Sequence, residues 1–251
     1  MPDVNEDYAL FLDFDGTLVD IVERPDAVAV DAALPDVLTR LQRRLGGALA
    51  IISGRPVDFL DGRLVPHVFD MAGLHGLEHR IAGRLSMCDP DEHPALRELV
   101  GRLGKIVADK EGILIEDKGC SVGVHWRLAP EHDTEVLEVV EELAAALGPK
   151  YRLQAGKAVA EILPARAAKG PAIAHFLTET PFRGRRAVFF GDDLTDEHGF
   201  ITVNELGGVT VRVGAGPTGA QRRIETPAAL RVILAEWARQ GGVDLAMLAT
   251  A

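Results

Sequence analysis

The chain predicts an α/β protein: a mostly parallel sheet with helices on both faces, carrying an inserted α+β module. Three observations predict it. Apolar runs ending in polar or glycine-containing turns alternate with helix-patterned segments toward both ends of the chain, the βαβα rhythm of a parallel sheet. The middle third instead reads helix, hairpin, helix, hairpin, the pattern of an antiparallel sheet covered by helices. With 251 residues, 47% hydrophobic and 26% charged, the chain has material for one large core or two small ones.

The first strand is Tyr8-Ala9-Leu10-Phe11-Leu12, ending at Asp13. From Leu34 to Leu45, helical spacing sets Leu38, Leu41 and Leu45 on one face, and Gly46-Gly47 supplies the stop. Ala48 to Ile52 forms a second strand and delivers Ser53-Gly54-Arg55. A shorter strand around Val68 to Met71 leads into Gly73-Leu74-His75-Gly76-Leu77-Glu78. The module begins with a helix over Pro94 to Ala108, then strands Ile113 to Glu116 and Val122 to Leu128 around the turn-prone Lys118-Gly119. An amphipathic helix from Thr134 to Leu147 stops at Gly148-Pro149. Strands Tyr151 to Gln154 and Ala158 to Leu163 follow, separated by Ala155-Gly156-Lys157. This places the core at 1–79 and 165–251 and the αββαββ module at 80–164. The core resumes with a helix over Lys169 to Leu177, the strand Ala187 to Phe190, a helix over Glu197 to Leu206 and the strand Val209 to Val213. Thr226 caps a last helix whose Leu230, Ile233, Leu234 and Trp237 share an apolar face.

The formal charge of −11, with no stripe of Lys or Arg, argues against nucleic acid or an anionic membrane as partner, but not against a small anion held in a local pocket. No apolar stretch approaches the roughly 20 residues of a membrane span. The acidic start, Met1-Pro2-Asp3-Val4-Asn5-Glu6-Asp7, lacks the basic region of a signal peptide, so the expected location is the cytoplasm. Only Cys88 and Cys120 occur, and in that compartment they are expected to be reduced. A monomer is expected.

Chemistry concentrates at strand ends, where ligands bind in open α/β sheets. Asp13 and Asp15 follow the first strand two residues apart, a spacing that sends both side chains to one side. A second cluster, Gly191-Asp192-Asp193-Leu194-Thr195-Asp196-Glu197, follows the apolar Ala187-Val188-Phe189-Phe190. Gathered carboxylates repel one another unless a positive charge sits among them, and a hard cation bound by oxygens, Mg²⁺, answers that need. Ser53 and the His75 turn close two further strand ends.

Asp13-Phe14-Asp15-Gly16-Thr17, Ser53, Lys169 and Gly191-Asp192-Asp193, in this order and each in its strand or helix context, resemble the four motifs of the haloacid dehalogenase superfamily of phosphotransferases. The resemblance implies a Rossmann-like core and an aspartyl-phosphate mechanism. In it Asp13 is the nucleophile, Asp15 the general acid and base, and Lys169 the cation that binds phosphoryl oxygens and offsets the carboxylates. It implies Mg²⁺ held by Asp13, the Asp15 main-chain carbonyl and Asp192, with Asp193 or Asp196 acting through water or as outer acceptors. Gly16, Ser53, Gly54, Arg55 and His75 are the implied substrate-binding residues of the core, with Ser53 and main-chain N–H groups after Asp15 on the phosphoryl oxygens.

The insertion resembles a C2-type cap, which in that superfamily chooses the leaving group. Ile21-Val22-Glu23-Arg24-Pro25-Asp26, Gly73-Leu74-His75-Gly76-Leu77-Glu78, Glu116-Asp117-Lys118-Gly119, Val124-His125-Trp126-Arg127, Glu161-Ile162-Leu163-Pro164 and the extended Gly191-to-Glu197 motif are similar to the trehalose-6-phosphate phosphatase family. That family implies a neutral disaccharide phosphate as substrate, recognised by Glu116, Lys118 and Glu161 on cap strands, with His125 and Arg127 as further contacts. It also implies a functional association with a trehalose-6-phosphate synthase. The same motifs leave open sucrose-phosphate, glucosylglycerol-phosphate or mannosyl-phosphoglycerate hydrolysis, and a phosphomannomutase. A catalytically silent regulatory module is the reading from another class; it should have lost a nucleophile or metal carboxylate, and Asp13, Asp15, Lys169 and Asp192 are all present. A cap that admits a disaccharide needs hinges, expected near 79–84 and 163–168, where Gly83 and Pro164 fall.

Overall fold

Strand β1 (Tyr8–Leu12) is buried along nearly its whole length because a parallel strand flanks it on each side: β10 (Arg186–Gly191) and β2 (Leu49–Ile52). A computed structural model describes residues 7–22, 24, 27–156 and 158–250. Glu23, Pro25 and Asp26 of the segment after the first acidic pair, and Lys157 of the expected turn, lie outside the described residues.

The larger sheet runs β13-β12-β11-β10-β1-β2-β3-β4-β5. Here β3 is Asp70–Gly73, β4 Glu78–Ile81, β5 Arg84–Ser86, β11 Val209–Val213, β12 Arg222–Ile224 and β13 Ala249–Thr250. Pairing is parallel from β12 through β3 and antiparallel at both edges. Helix α1 (Leu34–Arg44) packs with α7 (Pro227–Gln240), and α5 (Lys169–Phe176) with α6 (Leu194–Glu205). Right-handed crossovers leaving the centre in opposite directions require two such helical layers. The core is anchored by Phe11, Phe176 and Phe182, whose rings contact one another, and by Phe190 against Trp237. Thr226 caps α7 as expected, its hydroxyl accepting from the Ala229 N–H at 3.1 Å. No helix of the described residues is long and apolar enough to cross a membrane.

The second unit is Met87–Ala167, so the division falls at 86/87 and 167/168 rather than at 79/80 and 164/165. The reason is the hairpin β4–β5, which extends the core sheet. This unit holds α3 (Pro94–Ile106), β6 (Leu114–Asp117), β7 (Val122–His125), α4 (Asp133–Ala146), β8 (Tyr151–Gly156) and β9 (Val159–Pro164). Its antiparallel sheet runs β6-β7-β9-β8. One face buries Val122, Val124, Ala160 and Ile162 with Leu96, Leu99, Leu103, Val136 and Val140 of the helices. β7 ends at His125, three residues short of the expected Leu128. Trp126 is buried, its indole N–H donating to Asp133, and Arg127 falls in the turn beyond.

Sequence periodicity also missed α2 (Val57–Arg63) and the edge strands β4, β5, β12 and β13. It placed β3 two residues early at its start and α6 three residues late. The expected free thiols are a Cys88–Cys120 disulfide within the second unit.

Candidate active site

Register sets the site. Leu12 lies opposite Phe190, and the Asp13 N–H donates to the Phe190 carbonyl at 3.0 Å, so Asp13 leaves the sheet beside the loop that carries Asp192. On the other side Ser53 follows β2, bound through its N–H to the Ala72 carbonyl of β3 at 2.8 Å. The ends of β10, β1, β2 and β3 therefore meet in one row, at the point where the strand order reverses.

Lys169, the first residue of α5, is buried between two carboxylates: its Nζ donates to Asp13 Oδ1 and to Asp196 Oδ1, each at 2.7 Å. Asp196 is fully buried, and its second oxygen accepts the Asp192 and Asp193 N–H groups at 3.0 and 3.1 Å. Asp193 caps α6, its Oδ1 accepting the Thr195 N–H and hydroxyl and the Asp196 N–H. Asp193 and Asp196 thus form a reciprocal capping box. The sequence reading has Asp193 or Asp196 acting through water or as outer acceptors; the capping box accounts for their spacing. Glu197 ties the next loop, accepting from Arg212, the Thr218 hydroxyl and the Gly219 N–H.

Crowding shows in the acidities. Burial lifts the Asp13 carboxyl, and after the opposing pull of Lys169 and the push of Asp192 and Asp193 it stands at about 7. Burial, with Asp196 and Asp193, lifts Asp192 to about 7 against Lys169 and Arg212. Burial would also raise Asp193, but Lys169, the capping hydrogen bonds and His75 outweigh it and hold the carboxyl at about 2. Lys169 is opposed by burial yet held well above the usual lysine range by Asp13, Asp196 and Asp193.

Oxygens of Asp13, Asp192 and Asp196 approach one another within 4.8 Å, spacing suited to a hard cation. Both Asp196 oxygens already accept protein donors, which leaves Asp13 and Asp192 as the carboxylates that fit the ion. Burial first, and then neighbouring carboxylates, raise both carboxyls to about 7, so a bound cation would favour their ionised forms. Gly16 (φ +81°) admits this approach, since a Cβ there would collide with the Asp192 carboxylate. Its N–H donates to the Val19 carbonyl at 2.8 Å, so Gly16 serves by shape and not as a phosphate donor. Thr17 is fully buried beside it, its hydroxyl without a partner among the described residues.

Asp15 turns away from Asp13's partners. Arg55 clamps it with Nε to Oδ2 at 2.8 Å and Nη2 to Oδ1 at 2.9 Å, the guanidinium lying over the Phe59 ring. Its side chain is thereby kept from a cation shared by Asp13 and Asp192. Ser53 Oγ accepts the Arg55 N–H at 3.1 Å. The His75 N–H donates to the Ser53 carbonyl at 2.9 Å, and His75 Nε2 would stand 2.6 Å from a Cβ at Gly54, so a side chain there would force the His75 ring to move. Ser53, Gly54, Arg55 and His75 are thus one knot at the ends of β2 and β3.

The cap residues assemble on the face of the smaller sheet opposite its core. Glu116, Gly123, Glu161 and Gln154 stand in one cross-strand row. Gly123 leaves space that Glu116 and His125 occupy, their Oε2 and Nε2 hydrogen-bonded at 2.8 Å. Lys118 Nζ lies 3.1 Å from Glu161 and 3.8 Å from Glu116, and the Ser121 hydroxyl donates to Glu161 at 2.6 Å. Ser121 was not foreseen, though its place one residue before β7 was readable. Arg127 would follow Gly123 and His125 on this face by period-two counting, but β7 ends at His125 and Arg127 lies in the turn beyond, where the alternation no longer applies.

The trehalose-phosphatase family model matches residues 11–232. A probable trehalose-phosphate phosphatase of Sinorhizobium fredii is 45% identical over 239 residues, covering 92% of this chain and 87% of that one. The trehalose-6-phosphate phosphatase of Escherichia coli K12 is 41% identical over 224 residues, covering 89% and 84%. Among solved structures, a trehalose-6-phosphate phosphatase related protein superposes with a TM-score of 0.76 at 28% identity, covering 93% of this chain and 98% of that one.

Proposed function

The chain belongs to the trehalose-phosphatase family, and from that premise we propose that it is a phosphoric monoester hydrolase releasing phosphate and trehalose from trehalose 6-phosphate through an aspartyl-phosphate on Asp13. The observation that carries the chemistry is Asp13 itself: buried at the end of β1, oriented by Lys169, and beside Asp192.

A carboxylate oxygen of Asp13 attacks phosphorus; the bond from phosphorus to the sugar oxygen breaks, and the alkoxide takes a proton from Asp15, which takes it up from solvent once the bound substrate has drawn Arg55 away. Asp15 then removes a proton from the water that attacks the phosphoaspartate, returning Asp13 and freeing inorganic phosphate. Such acid–base assistance is worth roughly 10²–10⁴ in rate. Asp13, the Asp15 carbonyl and Asp192 would hold Mg²⁺, which supplies charge neutralisation for the transferring oxygens. Lys169 keeps Asp13 oriented, and Asp196 keeps Lys169 in place. A phosphoryl group, itself an anion, competes with Asp15 for the Arg55 guanidinium; substrate binding would thereby release Asp15 for proton transfer.

A neutral disaccharide offers only hydroxyls, and the Glu116, Lys118, Glu161 and His125 cluster supplies charged acceptors and donors in one row, which supports these residues as the sugar-recognition set. The assay that tests the substrate is phosphate release from trehalose 6-phosphate beside glucose 6-phosphate and sucrose 6-phosphate, with and without Mg²⁺. Preference for trehalose 6-phosphate, lost in chelator, is the expected result; equal turnover of all three would remove the assignment.

A further inference from the structure

A second cluster of ligating atoms lies in the cap unit and plays no part in the hydrolysis. Cys88, the second residue of that unit, is bonded to Cys120, two residues past Lys118 in the β6–β7 turn. A ring nitrogen of His93 lies within 4.8 Å of both sulfurs. Its Nδ1 pairs with the Tyr151 hydroxyl at 3.1 Å, which fixes the ring. Its Nε2 is buried and has no hydrogen-bond partner among the described residues. A buried ring nitrogen left without a hydrogen bond beside two sulfurs is uneconomical for a purely structural bridge.

We propose that Cys88, Cys120 and His93 form a thiolate–imidazole site for a zinc-class divalent cation, exclusive with the disulfide. The oxidised state is the one observed. An external dithiol reduces it: one thiolate of the reductant attacks a sulfur, and its second thiol resolves the mixed disulfide. The two electrons come from the reductant, which leaves as its own cyclic disulfide, and the protein keeps two thiols. The cation then displaces both thiol protons and takes the neutral imidazole lone pair as third ligand, a set borderline metals favour over Mg²⁺.

The geometry suits this exchange. Zinc–sulfur bonds of about 2.3 Å in a tetrahedron place two thiolates about 3.8 Å apart, which small rotations of the released side chains provide. The Tyr151 contact is the outer hydrogen bond that ligating histidines generally carry. The fourth position is left to solvent. Either state ties the segment containing Pro90, which abuts Gly119, to the turn that presents Lys118.

The test uses the full chain, reduced with a phosphine and desalted without air, and titrated with Co²⁺. Cobalt bound by thiolates gives a sulfur-to-metal charge-transfer band that cobalt at carboxylates lacks, so the Asp13–Asp192 site does not interfere. Expected are one equivalent of that band in the reduced protein, none in the oxidised protein, and the same band in Asp192→Asn. His93→Asn should weaken Co²⁺ binding by at least the roughly 10–100-fold that loss of an outer hydrogen-bonding partner costs, while the thiols still close to a disulfide in air. Reduced protein without the band, or His93→Asn with unchanged affinity, would overturn the proposal and leave a structural disulfide only.

Discussion

Each unit of the molecule contains a lysine between two carboxylates, and the two triplets differ in ways that match different tasks. In the core, Lys169 stands 2.7 Å from both Asp13 and Asp196, with all three side chains at 5% exposure or less. In the cap, Lys118 stands 3.1 Å from Glu161 but 3.8 Å from Glu116, and the Glu116 side chain is 28% exposed. The first triplet is buried, short and held by the α6 capping box, so its geometry is fixed before any ligand arrives. The second is looser and open at one end, where under the proposed function sugar hydroxyls would exchange with carboxylate partners. Fixed geometry is what a nucleophile needs; adaptable donors and acceptors are what recognition of a neutral sugar needs.

The largest test of that contrast is Asp13→Asn. It is isosteric and keeps a hydrogen-bonding oxygen for Lys169, so folding should survive. Turnover should fall by roughly 10⁴-fold or more, as loss of a residue acting within a catalytic unit does. Phosphate release and circular dichroism together read this, and retained phosphatase activity would break the division of labour at its root. Asp196→Ala comes next. It strips a partner from buried Lys169 and an acceptor from two main-chain N–H groups, at a cost of about 3–5 kcal/mol in urea unfolding. Misplaced by that loss, Lys169 should cost roughly 10²-fold in kcat. A stability change no larger than that of the cap variants would show that the two triplets are not different in kind.

The two regions were also unequally legible in the sequence. Asp13 and Asp192 could be placed together because each closes an unbroken apolar run, and buried parallel strands announce themselves that way. Asp196 could not be tied to Lys169, since their meeting depends on a capping box closing on a helix start 27 residues earlier. The hairpin β4–β5 stayed hidden for a different reason. Arg80 is buried in β4 through pairs with Asp61 and the Phe69 carbonyl, so a charge sits where the pattern calls for an apolar residue. β5 is exposed throughout, and short α2 contains Gly62 with only Val57 and Leu60 buried. In the cap, the family resemblance named Glu116, Lys118 and Glu161, but their common face follows from the β6-β7-β9 register, which no single strand encodes; the bond between Cys88 and Cys120 spans 32 residues and no local signal encodes it.

Proton linkage sharpens the comparison without touching catalysis. Folding lifts Asp13 and Asp192 from 3.8 to about 7, so between about pH 4 and 7 the folded chain binds more protons than the unfolded one. Stability in chelator must then fall as pH rises through that window, by up to about 1.4 kcal/mol per pH unit for each group. Mg²⁺ replaces the missing positive charge and should flatten the slope, most at neutral pH. Asp192→Asn should reduce both the slope in chelator and the gain from Mg²⁺. Thermal melts from pH 4 to 8, with and without the ion, measure it. A slope of opposite sign, unchanged by Asp192→Asn, would mean that the core carboxylates are not the strained cluster described here.

The smallest effects belong to the cap. Removing a charged hydrogen-bonding partner from a ligand typically forfeits about 1.5–3 kcal/mol, so Glu161→Ala and Glu116→Ala should raise KM for trehalose 6-phosphate by roughly 10–100-fold. Glu161 is the more buried of the two and holds Ser121 and Lys118, which predicts the larger change for it. Hydrolysis of a small aryl phosphate, which offers no sugar hydroxyls, should be spared in both variants. That split between substrates is the part a folding role cannot imitate, because a damaged cap sheet or a disturbed core would slow both. Equal loss on the two substrates would reassign the cap triplet to stability, and the likeness between the two lysine sites would then be one of composition alone.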